Sequence, residues 1–599
     1  MSQFYSRRNL EFLMTEVFKI EEVLKLDVYK GHDLDSIRMT LDAADQFAER
    51  ELYPFFREMD QIEPKLDQGK VKVHPQVRAI MKKYGEGGWI SASAGDEFGG
   101  MNLPIMVSSA SNFIFGAANF SASVYPQLSM GAARLIETYG SDYLKETFVP
   151  NLYSGVWQGT MAMTEPDAGS SLSDLKTKAV SIDDENDLYR ITGQKIFISA
   201  GDHDGVGNVI HLVLARIEGA PEGVKGLSLF IVPQKMTNEE DKVVLNDVKT
   251  TGLYHKMGYK GTPIVHLSFG EQDRCYGHLL GEPNEGLSQM FQMMNEARIG
   301  VGLSATAIAS SAYYASLNYA KERVQGRKPD EKNPNTPQIP IVEHADVKRM
   351  LLQQKAMVEG SLSLLLNCSY YADMAKAGTQ DVKEIYRLTL DLLTPVAKTY
   401  PSENGMLATS NAIQIFGGAG YCRDFPVEQY YRDMKIHTLH EGTSGIHGMD
   451  LLGRKIIMGG GIAFRAFTEE VSKTIKKVKM EILELTRYAE KLNDALFRLQ
   501  NVTMRLSTMA MKEKKEVFLM DATLYLELFG IIAVGWQWLL QAIPSQIAIN
   551  ENRGDEFYES KLYTMRYYFE YELPKSESLI TRLNSADKLL IEVSKDHLI

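Results

Sequence analysis

The 599-residue chain has few cysteines and no long block of basic residues. The three cysteines, Cys275, Cys368 and Cys422, lack the spacing of a metal site or of a disulfide framework. Acidic side chains (77) outnumber basic ones (65), and the formal net charge of −12 argues against binding to nucleic acid. The first residues, MSQFYSRRNLEF, lack the apolar core of a signal peptide. Together these absences predict a cytoplasmic protein.

The sequence also lacks a long apolar run. Its most apolar stretch, residues 529–544, contains glutamine and two glycines. It is shorter than the roughly 20 residues that a membrane span needs. We therefore predict a buried helix here and no stable insertion into a membrane. No solenoid repeat or low-complexity tract is found, and a composition of 44% apolar and 24% charged residues is that of a globular protein.

The hydrophobic pattern changes along the chain. Apolar residues recur three and four apart from about residue 33 to 149, which predicts helices, after one short helix that ends near Lys30. Short β-branched or alternating runs then predict a barrel or sandwich. After Pro283, long helical runs predict a bundle with a proline-rich loop at residues 326–342. The fold class is multidomain α+β, with a helical domain (1–158), a β domain (159–282), a helical bundle (283–455) and an additional helical domain (456–599).

Two stretches in the β region have residues suited to a ligand. MTEPDAGSSLSDLKTK, residues 163–178, predicts a turn whose backbone N–H groups suit a phosphate or a polar ring edge, although a serine-rich surface turn has the same pattern. In ITGQKIFIS, residues 191–199, Phe197 and Ser199 alternate to the same side of a strand. An aromatic plane beside a hydroxyl suits a flat heterocycle, and core packing is the other explanation.

Two further stretches lie among the later helices. In NAIQIFGGAGY, residues 411–421, glycines end an apolar helix and either let a ligand approach the backbone or only stop the helix. In LHEGTSGIHG, residues 439–448, Glu441 lies on a glycine-rich turn. A zinc-binding HExxH motif needs a histidine four residues after His440, where Ser444 stands. Glu441 alternatively favours a helix N-terminus, with Thr443 or Ser444 as the cap of a helix from Met449 onward.

Together and in this order, these motifs resemble those of the acyl-CoA dehydrogenase family. The six matches extend over about 280 residues: Thr164 to Ser170 (TEPDAGS), Gly193 to Ser199 (GQKIFIS), Asn295 to Gly300 (NEARIG), Glu322 to Gln325 (ERVQ), Gln414 to Tyr421 (QIFGGAGY) and Glu441 to Thr443 (EGT). The resemblance covers about residues 35–455. The chain looks most like the large bacterial subgroup, which includes broad-range acyl-CoA dehydrogenases and 3-methylthiopropionyl-CoA dehydrogenase.

This resemblance implies FAD-dependent oxidation of an acyl-CoA to a trans-2-enoyl-CoA, a reaction of lipid β-oxidation, with electrons passed to an electron-transfer flavoprotein. It implies Glu441 as the catalytic base; with the HExxH pattern incomplete, no metal site is predicted. The implied cofactor-binding residues are Met163, Thr164, Phe197, Ser199, Arg323, Gln325, Gln414, Gly417, Gly418 and Thr443. The implied substrate-binding residues are Ser170, Asn295, Arg298 and Gly442, the last through its N–H on the thioester carbonyl. Five of the cofactor residues (Arg323, Gln325, Gln414, Gly417 and Gly418) match positions that bind the FAD of a neighbouring subunit, so the resemblance implies at least a homodimer.

Three positions depart from the family pattern. Phe197 and Gly445 stand where many members have Trp and Gln, and Gly326-Arg327-Lys328 replaces the usual Phe-Gly-Lys. Two alternatives share the fold: an acyl-CoA oxidase, and a flavin-bearing, DNA-associated relative with little turnover. The second would have a basic C-terminal block, whereas residues from Lys455 onward contain twenty basic and twenty acidic side chains. The sequence does not define the length or branching of the acyl group.

Overall fold

The computed structural model describes residues 4–183, 187–237 and 242–599. The chain forms two compact units, one of Ile37–Ala297 and one of Met1–Ser36 with Arg298–Ile599. The helices are α1 Arg7–Phe12, α2 Ile20–Leu24, α3 Leu34–Phe47, α4 Phe56–Gln61, α5 Gln76–Glu86, α6 Ile105–Tyr139, α7 Asp142–Tyr153, α8 Gly286–Glu322, α9 Ala345–Ala377, α10 Gln380–Phe416, α11 Val427–Lys435, α12 Ser444–Asp450, α13 Met458–Glu481, α14 Thr486–Lys512, α15 Lys515–Leu519, α16 Ala522–Asn550, α17 Glu556–Tyr567, α18 Ser576–Leu583 and α19 Leu589–Glu592. The strands are β1 Lys65–Asp67, β2 Lys70–Lys72, β3 Trp157–Ala162, β4 Lys178–Asp183, β5 Leu188–Ser199, β6 Asn208–Ile217, β7 Leu227–Pro233, β8 Lys235–Thr237, β9 Val243–Leu245, β10 Val248–Leu253, β11 Ile264–Phe269 and β12 Tyr276–Leu279.

The N-terminal third is helical, as predicted, with two differences. The purely helical pattern assigned to this region was wrong at β1 and β2, which form an antiparallel hairpin. Gln68 (φ 47°) and Gly69 (φ 78°) make its two-residue turn, because consecutive positive φ angles match the twist of paired strands. The single short helix predicted to end near Lys30 is instead α1 and α2 with a π-helical and a 3₁₀ turn.

The central strands form a barrel, one of the two predicted arrangements. Hydrogen bonds lead from β5 through β12, β7, β6 and β4 back to β5, so these five strands make a closed ring. The strands β10, β11 and β3 extend the sheet beyond that ring. Its core contains apolar residues that face inward from different strands, such as Ile191, Val213, Phe230, Val265 and Leu267.

The unit of Met1–Ser36 and Arg298–Ile599, called the helical unit below, contains most of α8 and all of α9 and α10. The sequence predicted all three as long helices. The apolar run at residues 529–544 lies within α16, where Trp538 is fully buried and donates a hydrogen bond from Nε1 to the Ala356 carbonyl of α9 at 3.0 Å. Ser363 donates to Gln537 Oε1 at 2.8 Å on the same surface. The apolar run is therefore a core helix of this unit, because most of its side chains are buried and it is hydrogen-bonded to α9.

By length and composition, Lys515–Asn550 is the one helical stretch of the described residues that passes as a candidate membrane span. In its most apolar window, 61% is buried inside the protein. The division into four sequence domains remains a prediction, since the compact units divide the chain into two parts.

Candidate active site

Glu441 lies on the turn between α11 and α12. A 3₁₀ turn follows α11, and α12 begins at Ser444 with Thr443 as its N-cap, whose hydroxyl accepts from the Ile446 N–H at 3.5 Å. The helix therefore begins five residues earlier than the predicted Met449. Thr443 is a cap as predicted, and Glu441 precedes it by two residues.

The Glu441 side chain has one carboxylate oxygen, Oε2, that is inaccessible and has no hydrogen-bond partner among the described residues. The residue as a whole remains partly accessible. A buried oxygen without a donor is unusual, because a carboxylate that leaves water normally gains hydrogen bonds in return. Among the described residues, no donor therefore competes with a ligand for this oxygen.

Two buried cations lie near this carboxylate in the helical unit. Burial raises the pKa of Glu441, and the charges of Arg298 on α8 and Lys398 on α10 oppose that rise without cancelling it. Arg298 also lies 3.9 Å from Asp450, measured from Nη1 to Oδ2. Burial lowers the pKa of Lys398 to about 8, against the opposing charges of Glu403 and Glu441. The pKa of Glu441 is therefore raised overall, and its carboxylate binds a proton more readily than an exposed one does.

The backbone of the turn is left-handed at two successive residues. Glu441 has φ 53° and Gly442 has φ 93°, and glycine alone adopts the second without strain. Lys398 Nζ donates to the Gly442 carbonyl at 2.8 Å, and His447 Nε2 lies 3.0 Å from the Glu441 carbonyl. Within the described residues no group accepts a hydrogen bond from the Gly442 N–H. A free donor therefore lies next to the free carboxylate oxygen.

The three histidines around Glu441 are buried or partly buried and do not group as metal ligands. The rings of His437 and His440 meet edge to face with centroids 5.3 Å apart, and the Nε2 of His447 faces a backbone carbonyl. Burial lowers the pKa of His437 to about 4 and that of His440 well below its usual value, so both are neutral near pH 7. No set of three metal-ligand side chains occurs in the part of the chain that the structure describes.

In the other unit, Met163 and Thr164 are held against β5. Lys195 Nζ donates to the Met163 carbonyl at 3.0 Å and to Glu165 Oε1 at 2.8 Å, and the Ile196 N–H donates to the Thr164 carbonyl at 2.9 Å. Burial alone would raise the pKa of Glu165, but the charge of Lys195 and three further hydrogen bonds outweigh it, so the pKa lies below its usual value. This buried ion pair fixes the turn that contains both predicted residues.

Phe197 and Ser199 lie at the end of β5. The Phe197 ring is 57% exposed and stacks on Tyr254 with centroids 4.7 Å apart. Its φ of 59° and a register shift opposite, between Val265 and Leu267, break the regular alternation that the sequence interpretation assumed. Core packing does not explain Phe197, since a large aromatic ring remains open to ligand.

Five predicted cofactor residues lie at the C-terminal ends of α8 and α10. Tyr319 and Phe416 stack there with centroids 4.0 Å apart, which brings the two helix ends together. The set is exposed and consists of Arg323, Gln325, Gln414, Gly417 and Gly418. Gly417 has φ 61°, and a Cβ built on Gly417 or Gly418 would have no atom within 4 Å. The backbone is therefore open to close approach by a ligand.

The remaining predicted residues are placed as follows. Ser170 is exposed on the turn after Thr164, and Asn295 lies one helical turn before Arg298 on α8. Sequence reasoning missed the roles of Lys195, Lys398 and His447. Two of them had a local signal: Lys195 lies on the same face of β5 as the buried Tyr189 and Ile191, and Lys398 follows residues 392–397 of α10, which are apolar except for Thr394.

The described residues thus form a helical region, a barrel and a helical bundle, and the bundle contains a carboxylate oxygen without a hydrogen-bond partner. Sequence profiles of four domains match the chain: the acyl-CoA dehydrogenase N-terminal domain over residues 35–156, the middle domain over 160–271, the C-terminal domain over 284–456, and the acetyl-CoA dehydrogenase C-terminal-like domain over 467–594. The chain belongs to the acyl-CoA dehydrogenase family, whose members are oxidoreductases that act on CH–CH bonds.

Similar proteins extend over nearly the whole chain. The 3-methylmercaptopropionyl-CoA dehydrogenase of Ruegeria pomeroyi is 33% identical over 588 residues, which cover 98% of this chain and 99% of the relative. The crystal structure of Caenorhabditis elegans ACDH-11 in complex with C11-CoA has a TM-score of 0.78 at 21% identity, covering 97% and 95% of the two chains. An acyl-CoA dehydrogenase of Bacillus anthracis complexed with FAD has a TM-score of 0.73 at 20% identity, covering 96% and 92%. The structural likenesses extend to the additional C-terminal helices.

Proposed function

We propose that this protein converts an acyl-CoA thioester to the trans-2-enoyl-CoA, with Glu441 as the base that removes the α proton and FAD as the hydride acceptor. One observation carries the proposal: the inaccessible Oε2 of Glu441 has no partner among the described residues and lies on the same turn as the free N–H of Gly442. Removal of an α proton from a thioester requires a base and a hydrogen-bond donor to the carbonyl oxygen, and adjacent residues of this turn supply both.

The proton chemistry follows from the environment of Glu441. A carboxylate is a weak base toward a thioester α proton, and burial strengthens it by raising its pKa. A positioned base contributes about 10²–10⁴ in rate. Negative charge that develops on the thioester oxygen needs a donor, and one preorganised N–H is worth roughly 10²–10³. Gly442 supplies that donor, and the charges of Arg298 and Lys398 favour the ionised form of Glu441.

The chain's own residues fit FAD in two places, each within its own unit. The exposed Phe197 ring suits a flat heterocycle, and Met163, Thr164 and Ser199 are the proposed contacts of the flavin ring. The open backbone at Gly417 and Gly418 suits an adenylate, with Arg323, Gln325 and Gln414 beside it, and Thr443 is proposed for the pyrophosphate. Bound FAD would supply the acceptor for the hydride that leaves the β carbon.

The remaining parts of the proposal rest on the family resemblance. Ser170, Asn295, Arg298 and Gly442 are the proposed contacts of the acyl-CoA. An electron-transfer flavoprotein is the proposed electron acceptor, and β-oxidation in the cytoplasm is the proposed context. A homodimer or larger assembly is proposed because the adenylate residues of one subunit would contact the cofactor of its neighbour. The substrate in the name of the Ruegeria pomeroyi relative, 3-methylmercaptopropionyl-CoA, belongs in the panel to be tested.

The decisive experiment compares Glu441→Gln with Glu403→Gln. Glu403 is an exposed acid whose carboxylate accepts from the Ser444 hydroxyl, so it controls for charge loss beside the same turn. With saturated acyl-CoAs of four to twenty carbons, we expect bleaching of the flavin absorbance by the wild type and by Glu403→Gln. Glu441→Gln should retain FAD and bleach at least about 10²-fold more slowly.

Two outcomes would contradict the proposal. Bleaching at the wild-type rate by FAD-loaded Glu441→Gln would exclude this acid as the base. Stoichiometric hydrogen peroxide from the wild type with acyl-CoA, at the rate of enoyl-CoA formation, would replace the dehydrogenase by the acyl-CoA oxidase alternative.

A further inference from the structure

The turn at Glu441 requires support from outside itself. Both Glu441 and Gly442 have positive φ angles, and left-handed backbone is unfavourable for any residue with a Cβ. Such a conformation persists only where neighbouring groups hold it. The groups that hold this turn therefore also decide where its functional atoms lie.

Two side chains bind the two successive carbonyls of this turn. His447, on α12, faces the Glu441 carbonyl at 3.0 Å from Nε2, and Lys398, on α10, donates to the Gly442 carbonyl at 2.8 Å. Because a carbonyl only accepts, the imidazole must carry its proton on Nε2. Nδ1 of His447 is buried without a partner among the described residues. Among the described residues, the one hydrogen bond of the His447 ring is therefore the bond from Nε2 to the carbonyl of Glu441, the residue proposed as the base.

The planarity of the peptide group links these contacts to the chemistry. The carbonyl of Glu441 and the N–H of Gly442 belong to one rigid peptide unit, and they point in opposite directions. Fixing that carbonyl therefore fixes the direction of the free N–H. A hydrogen bond to the carbonyl also polarises the peptide and strengthens its N–H as a donor. Lys398 acts in the same way on the next peptide unit, whose N–H belongs to Thr443.

We infer that His447 and Lys398 are positioning residues: they hold the Glu441–Gly442 and Gly442–Thr443 peptide groups, and with them the left-handed turn from which a backbone N–H meets the thioester oxygen while Glu441 reaches the α carbon. This inference rests on the proposed function of Glu441. Neither side chain touches substrate in it; each acts through a backbone carbonyl.

Lys398 has a second effect that His447 lacks. Its charge favours the ionised form of Glu441, whereas burial lowers the pKa of His447 to about 3, so the imidazole is neutral at working pH. The other titratable or charged groups around this part of the helical unit are Arg298 near the carboxylate and Asp450 near Arg298 and His447. His437 and His440 precede the carboxylate, and Glu403 lies near Lys398. The two positioning residues should therefore differ in their effect on the pH profile.

The test isolates proton removal from hydride transfer. The holoenzyme is given an acyl-CoA whose β carbon is replaced by sulfur, so that no hydride can leave, and exchange of its α hydrogens with D₂O is followed by NMR. His447→Phe removes the donor and keeps a ring, and His447→Gln keeps a donor. We expect His447→Phe to slow exchange by about 10- to 100-fold, the size of a misplaced donor. His447→Gln should recover most of that rate.

Lys398→Met should also slow exchange, and the acid limb of the exchange-rate profile should move to higher pH, because loss of a positive charge raises the pKa of Glu441. His447→Phe should leave that limb in place. In turnover with a normal acyl-CoA, both variants should lower kcat more than they change KM. Lys561→Met is the control for losing a buried lysine, because its contacts are Asn9, Glu359 and Gln541. It should leave exchange within about threefold of the wild type, because none of these contacts is with the Glu441 turn.

The outcomes separate this inference from the proposed function. Wild-type exchange by His447→Phe, or equal loss in His447→Gln and His447→Phe, would overturn the positioning role. If Glu441→Gln exchanges as fast as the wild type, the base assignment fails whatever the His447 variants do. If Glu441→Gln abolishes exchange while His447→Phe and Lys398→Met do not alter it, the base stands and the positioning role is wrong.

Discussion

Replacing Lys195 by methionine should destabilise the unit of residues 37–297 more than any surface change. Lys195 is fully buried and bonds both Glu165 and the Met163 carbonyl. Methionine has nearly the same length but no charge, so the change leaves Glu165 buried without its cation. Glu165 retains three donors: the N–H groups of Lys176 and Thr177 and the Thr177 hydroxyl.

The magnitude follows from those remaining contacts. Breaking a buried pair by removing one partner costs about 3–5 kcal/mol. Because three hydrogen bonds still hold the Glu165 carboxylate, the lower end, about 3 kcal/mol, is expected. A domain of 150–250 residues loses roughly 2–4 °C in Tm per kcal/mol, so the expected shift is on the order of 6–12 °C.

The assay is thermal unfolding followed by circular dichroism, read as the midpoint of the first transition because a chain with several folded parts need not unfold in one step. Lys176→Met is the matched control, since Lys176 pairs with Asp167 on the surface of the same turn and should cost roughly 0–1 kcal/mol. Adding Glu165→Gln to Lys195→Met should recover part of the loss by removing the unpaired charge. The reasoning is refuted if Lys195→Met melts no lower than Lys176→Met.

The pH dependence of this effect has a definite sign. The folded pKa of Glu165 lies below its unfolded value, so its contribution to stability is present above the unfolded pKa of about 4.3 and is lost as the pH falls through the folded pKa. The gap in Tm between the wild type and Lys195→Met should therefore narrow in acid. A gap that widens below pH 4 would contradict the charge-based explanation.

Two further outcomes are expected. Gly442→Ala should lower kcat at least about tenfold, because alanine at φ 93° is strained by roughly 1–3 kcal/mol and its Cβ would lie 3.0 Å from His447 Nε2. The control is Gly445→Ala, whose Cβ would meet nothing nearer than 3.8 Å and which should retain wild-type kinetics. Equal kinetics for the two variants would disprove the role of the left-handed turn. His211 is fully buried against the Thr160 hydroxyl, and burial lowers its pKa to about 3. As the pH falls from 6.5 to 3, this imidazole is protonated in the unfolded chain but not in the folded one. The free energy of unfolding should therefore fall by up to about 1.4 kcal/mol per pH unit in that range. His211→Gln should flatten that slope in urea titrations at several pH values, and an unchanged slope would show that other groups dominate.

The sequence determined the features that are local in the chain. The strands β5, β6, β7 and β11 and the helices α8, α9 and α10 lie where alternation and three-to-four periodicity predicted them. The helix stop at Gly417 and the cap at Thr443 depend on one or two residues, and both occur as expected. Short elements were missed, such as β12 and the hairpin of β1 and β2, because three or four residues have too little periodicity to separate a strand from a loop.

Tertiary structure alone decided how the Glu441 turn is held and what surrounds its carboxylate. Lys398 is 44 residues from the Gly442 carbonyl that it binds, and Arg298 comes from a different helix again. No pattern within one segment predicts such contacts, because they depend on how α8, α10 and α12 pack. The same holds for Lys195. Its position on the buried face of β5 indicates a buried cation, but it does not identify Glu165, 30 residues away, as the partner. The sequence therefore determined which residues are candidates for the chemistry, and packing determined the charges, the hydrogen-bond donors and the backbone conformation around them.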